Sequence, residues 1–215
     1  MKTDMISYYS QRAAEYEKVY AKPERQDDLR QLRDRCRALF SGRDVLEVSC
    51  GTGYWSEVIA PVARSVLATD INEEVLKIAR SKAWENAAIE FATADSYALP
   101  RFGRKFSAGF SGFWWSHIPQ NRLRAFLEGF HAQLAAGSPM VFIDNRYVAG
   151  SSTPISRTDK NGDTFQARTL EDGSMHEVLK NFPSPAELES AIGDLGTDVT
   201  VTRFDYFWLL TYQTK

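Results

Sequence analysis

Two glycines and three carboxylates stand where an α/β protein binds a nucleotide. Glu47 lies in an apolar run that leads into a loop with Gly51 and Gly53, and Asp70 and Asp95 end the next two apolar runs. Glycines permit close ligand approach, and the helix after such a loop presents unpaired N–H groups. A carboxylate at the end of the second strand can accept both hydroxyls of a ribose. The spacing therefore predicts a site for a nucleoside-containing ligand.

Each of these residues also has an ordinary structural role open to it. The glycines can form only a tight turn, Asp70 or Asn72 can cap the next helix, and Asp95 can begin a turn. Their joint placement at successive strand ends favours the ligand-binding interpretation.

Glu47 distinguishes between two kinds of nucleoside ligand. A dinucleotide site requires a third glycine, so that a pyrophosphate can rest on the helix N-terminus, but Ser56 stands there. A carboxylate four residues before Gly51 would repel a pyrophosphate and suits a ligand that carries an ammonium group. S-adenosylmethionine has this ammonium, and its sulfonium favours nearby aromatic faces. A nicotinamide-dependent oxidoreductase is the alternative enzyme.

Alternation of apolar runs and helical patterns places these residues in one fold. We expect strands at 44–49, 65–70, 89–94, 106–113 and 139–145, with helices at 54–60, 73–85 and 120–135. Such βαβ units build a parallel sheet with helices on both faces. The pattern predicts a doubly wound α/β fold with a seven-stranded, mostly parallel sheet, completed by an antiparallel pair that is split near Asp205.

The remaining segments surround this sheet. Apolar residues at steps of three and four predict an N-terminal helix over 6–20 and a second one that ends at Gly42. The polar stretch 146–163 reads as a loop, a hairpin turning at Asp172 and Gly173 follows, and Ser184 begins a capped helix. We therefore expect a single domain over 1–215, with a helical cover at 1–42. We also expect a loop and hairpin insertion at 146–182 over the acceptor site, where the substrate of the protein would bind.

Composition excludes several classes of protein. The formal net charge is −2 at pH 7 and no basic run is present, which argues against nucleic acid as a partner. Cys36 and Cys50 provide neither a disulfide framework nor metal-ligand spacing, so no metal is expected. No stretch approaches the roughly 18 apolar residues of a membrane span. We expect a cytoplasmic protein with a small-molecule substrate, as a monomer or homodimer.

Three stretches together resemble the class I S-adenosylmethionine-dependent methyltransferases: "VLEVSCGTGYW", "VLATDINEEVLKIAR" and "FATADSYALP". This resemblance implies a Rossmann-like methyltransferase fold and S-adenosylmethionine as the cofactor. It also implies a set of cofactor-binding residues: Glu47, Gly51 and Gly53 at the methionine, Asp70 at the ribose, Ile71 at the adenine face, and Asp95 and Ser96 at the adenine edge. "SYYSQRAAEYE" is similar to the N-terminal cover of small family members and adds Tyr8, Arg12 and Tyr16.

The acceptor is expected beyond the fourth strand, where "GFWWSHIP" brings Trp114, Trp115 and His117 to the carboxyl edge of the sheet. The second half of the chain, from "GFWWSHIPQNRLRAF" through "RTLEDGSMHEVLKNFPSPAEL", looks most like bacterial phosphonate O-methyltransferases. That likeness makes Arg168 a candidate for binding an anionic oxygen, with Arg146 and Lys180 as further candidates. Helix capping, core packing and solvated charge are the structural alternatives for these residues.

Two chemistries remain open at this point. A phosphonate or carboxylate oxygen is already ionised and needs no base, so Arg168 would orient it for in-line transfer. An alcohol, phenol or amine would need a base, and His117 is the first candidate. A non-catalytic cofactor-binding module is the alternative of another class.

Overall fold

The protein is described by a computed structural model that covers residues 5–85, 88–170 and 172–215, without the side chains of Ile6, Ala14 and Tyr16. Five parallel strands and two C-terminal strands form the main sheet: β1 (Asp44–Val48), β2 (Ser65–Asp70), β3 (Ile89–Thr93), β4 (Ala108–Gly112), β5 (Pro139–Asn145), β9 (Gly196–Arg203) and β10 (Phe207–Thr214). A second sheet holds β6 (Arg157–Thr158), β7 (Thr164–Thr169) and β8 (Met175–Leu179).

The order of the main sheet is β3-β2-β1-β4-β5-β10-β9, and only β10 runs antiparallel to its neighbours β5 and β9. The strand order reverses between β1 and β4, where ligands of doubly wound folds bind. The predicted fold class and the antiparallel C-terminal pair are confirmed.

In the described part of the chain, six α-helices accompany the strands: α1 (Met5–Gln11), α2 (Gln26–Phe40), α3 (Tyr54–Ile59), α4 (Glu73–Ser81), α5 (Gln120–His131) and α6 (Pro185–Ile192). Buried apolar side chains form one hydrophobic cluster on each face of the sheet. The Asn72 side chain caps α4 by accepting from the Glu74 amide, and Ser184 with Glu187 forms a capping box on α6. Within the described ranges, no helix is long and apolar enough to cross a membrane.

The predicted helix over 6–20 is wrong in detail. The chain forms α1 and then, after Arg12, a 3₁₀ helix over Ala13–Ala21. Tyr20 anchors this second piece by stacking on Tyr54, with ring centroids 3.7 Å apart, and the Thr52 hydroxyl donates to Glu17 at 2.7 Å. These contacts hold the N-terminal segment against the glycine loop.

Two other helices end earlier than the sequence predicts. The helix expected over 73–85 stops at Ser81, because the Trp84 indole folds back and donates to the carbonyl of Ala79 at 3.0 Å. The helix expected over 120–135 stops at His131. There the backbone turns to exchange hydrogen bonds with Phe106, which receives the amide of Ala135 at 2.9 Å.

The predicted hairpin is present as β7 and β8, with Gly173 at φ +84° in the turn. A third strand, β6, pairs with β7 and was not predicted, because it spans two residues with no apolar alternation. This small sheet lies beside the carboxyl end of β4, since the Asn181 amide donates to Ser116 at 2.8 Å.

Candidate functional site

The glycine loop and the end of β2 form one hydrogen-bonded unit. The Gly51 amide donates to Asp70 Oδ2 and the Asn72 amide to Asp70 Oδ1, each at 2.9 Å. Burial raises the pKa of Asp70, while the amides of Asn72 and Gly51 oppose that rise. A Cβ on Gly53, where φ is +82°, would lie 3.3 Å from both Ala79 and Trp84. The loop therefore requires glycine at this position and brings Asp70 to its edge.

A first cavity opens above the carboxyl ends of β1, β2 and β4. Its walls include four residues that the sequence assigns to a nucleoside ligand: Gly51, Asp70, Ile71 and Ser96. Ile71 is 41% exposed, which is unusual for a large apolar side chain and suits the face of an aromatic base. Trp114 lines the same cavity. Asp95 is exposed next to Ser96 and accepts the Tyr97 amide at 2.9 Å.

Glu47 lies behind the loop and away from the cavity wall. Its side chain is 1% exposed, and Oε2 accepts a hydrogen bond from the Ser56 hydroxyl at 2.5 Å. Burial raises the pKa of Glu47 to about 8, against the opposing effect of the Ser56 hydrogen bond. The structure therefore shows Glu47 as a hydrogen-bond partner of Ser56 at the start of α3, whereas the sequence predicts that Glu47 contacts a ligand directly.

A second cavity of about 420 Å³ adjoins the first, and Tyr9, Phe113 and His117 line both. Among the described residues that line it, five are Arg or Lys and one, Glu15, is acidic. The cations come from the N-terminal segment and the small sheet, in the order Arg12, Lys22, Arg25, Arg168 and Lys180. A group at the shared wall therefore faces a nucleoside-type cavity on one side and a cationic cavity on the other.

His117 occupies the shared wall in a fixed orientation. Nδ1 lies 2.6 Å from the carbonyl oxygen of Leu179, and Nε2 lies 2.8 Å from the hydroxyl of Tyr9. A carbonyl only accepts, so Nδ1 carries the proton and the neutral ring accepts from Tyr9 at Nε2. Burial and the charges of Lys180 and Arg168 lower the pKa of His117 well below its ordinary value. The imidazole is therefore neutral and already hydrogen-bonded on both sides.

Lys180 lines the second cavity as a member of a buried ion pair. Its ammonium lies 2.9 Å from Asp144 Oδ1 and donates to the Ser116 hydroxyl at 2.6 Å. Both charged side chains are at most 5% exposed. Although burial opposes it, the charge of Lys180 lowers the pKa of Asp144. The positive charge of Lys180 is thus balanced within the protein.

Arg168 extends from β7 into the second cavity, where Nη2 donates to Gln166 Oε1 at 2.8 Å. Its guanidinium carbon lies 6.0 Å from the ring centroid of Tyr8. Tyr8 and Arg12 are hydrogen-bonded at 3.2 Å and line this second cavity, where the sequence assigns them to the cofactor. The side chain of Tyr16, assigned to the same cover, lies outside the described residues.

The structure does not bring two predicted acceptor residues to the cavity. Trp115 is 4% exposed and packs on Phe142 and Trp208 in the core. The guanidinium of Arg146 instead binds backbone carbonyls of the turn before β10, including that of Asp205 at 3.2 Å. A strand-end position in the sequence does not tell which way such side chains turn.

Sequence reasoning missed two cations that line the second cavity, Lys22 and Arg25. Tyr9, which lines both cavities, lies in the N-terminal stretch that the sequence assigns to the cover, on an apolar stripe that core packing explains equally well. Lys22 and Arg25 flank Pro23, where the sequence shows only the approach to a helix. No motif marks them, because their position at the cavity depends on contacts with residues more than a hundred positions away.

The sheet order, the loop and the cavity at the switch point define a Rossmann-like protein that binds a nucleoside cofactor. Residues 45–137 match the sequence family described as "Methyltransferase domain". The protein in the DhpI–SAH complex structure shares 30% sequence identity with this chain. The alignment covers 97% of this chain and 94% of that chain, with a TM-score of 0.79. The chain belongs to the class I S-adenosylmethionine-dependent methyltransferases, whose cofactor is S-adenosylmethionine.

A second structure of DhpI and one curated relative are similar over different lengths. In the DhpI–SAM–HEP complex, the protein shares 28% sequence identity with this chain. The alignment covers 97% of this chain and 95% of that chain, with a TM-score of 0.80. A probable S-adenosylmethionine-dependent methyltransferase of Mycolicibacterium smegmatis is 42% identical over 164 residues, which is 75% of this chain. The chain spans 57% of the length of that curated relative.

Proposed function

We propose that the protein transfers a methyl group from S-adenosylmethionine to an anionic oxygen of a small molecule, a phosphonate or a carboxylate. The observation that carries this proposal is the cation-rich second cavity, which shares the wall of Tyr9, Phe113 and His117 with the cofactor cavity. An excess of positive charge in a partly buried cavity attracts an anionic ligand and raises its local concentration.

The first cavity fits the cofactor. Asp70 offers carboxylate oxygens to ribose hydroxyls, Ile71 an apolar surface to adenine, and Ser96 a hydroxyl at the base edge. Bound there, S-adenosylmethionine supplies an electrophilic methyl group on a sulfonium. Gly51 and Gly53 leave the backbone open to close approach. Glu47 contributes by holding the loop through Ser56, rather than by contact.

The acceptor chemistry needs no general base if the oxygen is already ionised. Arg168 presents a planar fork of N–H donors, which matches two oxygens of one phosphonate or carboxylate. In that role it neutralises the acceptor and fixes its direction toward the shared wall. Positioning and exclusion of water then supply most of the rate of an in-line displacement.

The state of His117 agrees with this chemistry. A base must have a lone pair that reaches the acceptor and a pKa near the working pH. Nε2 of His117 is hydrogen-bonded to Tyr9, and burial with nearby cations lowers its pKa. An alcohol, phenol or amine acceptor would require Tyr9 to move away or to pass the proton on.

The resemblance of the second half of the chain to phosphonate O-methyltransferases supports the same acceptor class. The structures of DhpI are described as complexes with SAH and with SAM and HEP. The resemblance of DhpI to this chain extends through the small sheet that carries Arg168, since 97% of the chain is covered. The single-domain organisation, the placement of residues 146–182 over the acceptor, a cytoplasmic location and a monomer or homodimer remain predictions.

The test is a methylation assay on a matched panel: ethylphosphonate, propionate, propanol and propylamine, each with S-adenosylmethionine. We expect product from the phosphonate or the carboxylate, and at most traces from the alcohol and amine. Turnover of only the neutral acceptors would refute the anionic class. Calorimetric binding of S-adenosylhomocysteine with no methylation of any acceptor would instead indicate a non-catalytic module.

A further inference from the structure

We propose that the second cavity contains a separate anion-binding subsite, formed by Arg25 and Lys22, which takes a carboxylate or phosphate group of the acceptor remote from the methylated oxygen. The inference rests on the proposed function, because it specifies the acceptor of that same site. It predicts a small molecule with two anionic groups, one at Arg168 and one at Arg25.

Arg25 is a buried cation whose hydrogen bonds all go to uncharged oxygens. Its side chain is 9% exposed; Nη2 donates to the hydroxyl of Ser151 at 3.0 Å, and Nη1 to Asn145 Oδ1 at 3.4 Å. Nε is buried and, within the described ranges, has no hydrogen-bond partner. A buried charge of this kind is costly unless an anion compensates it.

Two acidic residues, Glu24 and Asp28, lie near Arg25. Among the described residues, no carboxylate forms an ion pair with Arg25. Glu24 accepts from the Ser151 hydroxyl at 3.3 Å, and Asp28 accepts the amide of Tyr206 at 2.8 Å. Burial lowers the pKa of Arg25 despite the opposing charges of Glu24 and Asp28. The guanidinium therefore lacks a direct ion pair within the described residues, and an anion in the cavity can form one.

Lys22 places a second cation on the same wall. Its ammonium donates to the carbonyl oxygen of Ser151 at 3.3 Å. The hydroxyl of the same residue accepts a hydrogen bond from Arg25. Lys22 and Arg25 thus share one acceptor residue, and two like charges brought close to each other favour an anion between them. The pairing is a built feature, because Ser151 lies more than 120 positions from both along the chain.

Arg25 and Arg168 act from different sides of the cavity. Arg25 lies over the rings of Tyr206 and Phe207, with its guanidinium carbon 5.4 and 5.7 Å from their centroids, at the start of β10. Arg168 instead lies on β7 beside Tyr8. Both positive charges act on Lys180, because burial and the charges of Arg168 and Arg25 lower the pKa of its ammonium group. Both arginines line one cavity of about 420 Å³, which falls in the size range of small-ligand sites.

The experiment compares two acceptors that differ in one anionic group, propylphosphonate and 3-phosphonopropionate. For the wild-type protein we expect kcat/KM to be at least about tenfold higher for 3-phosphonopropionate, as one charge-assisted hydrogen bond would give. Arg25→Gln and Lys22→Gln should lower this ratio toward one. Ser151→Asp should do the same, by placing a carboxylate against Arg25. Arg30→Gln, which removes an exposed cation of α2, is the matched control and should keep the wild-type ratio.

Binding to the S-adenosylhomocysteine-loaded protein, followed by calorimetry, gives a readout that does not depend on turnover. Equal affinity of the wild-type protein for the two phosphonates overturns the subsite. So does an Arg25→Gln variant in which the affinities for both phosphonates fall by the same factor. Weaker binding of S-adenosylhomocysteine by Arg25→Gln, by the same factor as 3-phosphonopropionate, would assign Arg25 to the cofactor carboxylate and also overturn it. If Arg25→Gln does not fold, the half-buried Lys22→Gln decides. Methylation of both phosphonates without discrimination leaves the proposed function standing, whereas failure of both with turnover of an alcohol rejects that function.

Discussion

The hydroxyl of Tyr9 lies 2.8 Å from Nε2 of His117, and both residues line the first cavity and the second cavity. Leu179 accepts from Nδ1 on the other side of the ring, so the imidazole is held as one tautomer. This geometry makes His117 the support of a tyrosine at the junction of the two cavities. Tyr9, like Phe113 and His117, therefore lines both cavities.

The first prediction concerns the pH dependence of the reaction. Because its pKa is lowered well below the ordinary 6.5, His117 is neutral at and above pH 6.5, and no ascending limb from it should appear in that range. We expect His117→Ala to lower kcat for an anionic acceptor by less than about tenfold, whereas loss of a true general base costs about 100-fold or more. The measurement is a pH–rate profile of both proteins. Any limb due to ionisation of the acceptor itself should persist in the variant; a limb that disappears with His117 would identify it as the base.

A second prediction concerns Arg168. Replacing it with Gln should raise KM for an anionic acceptor by about tenfold to 100-fold, because charge-assisted hydrogen bonds are lost. Arg168→Lys should recover part of this loss by charge alone, without the bidentate geometry. Steady-state kinetics of the three proteins provides the measurement. Arg157→Gln is the control, since Arg157 lies on the same small sheet and pairs with Glu177 at an exposed position; an equal effect of both substitutions would contradict the assignment.

The third prediction uses the buried carboxyl of Glu47. Its pKa is raised from 4.5 to about 8 in the folded protein, so its contribution to stability is fully present below about pH 4.5 and is lost as the pH rises through 8. The shift corresponds to at most about 5 kcal/mol. We expect Tm of the wild type to fall between pH 6 and 9, and Tm of Glu47→Gln to fall less. Thermal unfolding across that range, with the exposed Glu189→Gln as control, measures the difference; parallel curves for wild type and Glu47→Gln would be incompatible with a buried, largely protonated carboxyl.

The fourth prediction concerns the buried pair of Lys180 and Asp144. Removing one partner, as in Lys180→Met, leaves an uncompensated buried charge and should cost about 3 to 5 kcal/mol of unfolding free energy. The double variant Lys180→Met with Asp144→Asn should be more stable than Lys180→Met alone, because no charge remains. Urea unfolding gives both values. The exposed pair of Arg124 and Asp194 is the control, and Arg124→Gln should leave the unfolding free energy nearly unchanged, because solvent screens exposed ion pairs. A loss for Lys180→Met as small as this control would show that the pair is solvated.

The sequence by itself determined the sheet and the cofactor cavity. Both depend on local patterns: apolar runs of strand length, glycines with φ near +60 to +80° in the loop, and Asp70 at the end of β2. Such features are encoded by neighbouring residues and by the right-handed connection of parallel strands, so spacing alone places Gly51 beside Asp70.

Only the tertiary structure decided which side chains surround the second cavity. Tyr9 and His117 are 108 positions apart, and Arg25 and Ser151 are 126 apart. Their contacts depend on how the N-terminal segment packs against the segments that follow β4 and β5. Other tertiary contacts turned Arg146 toward the carbonyls before β10 and buried Glu47 beside Ser56. A sequence pattern gives the position of a side chain along its own element, whereas its direction and its charge partner follow from the assembled surfaces around it.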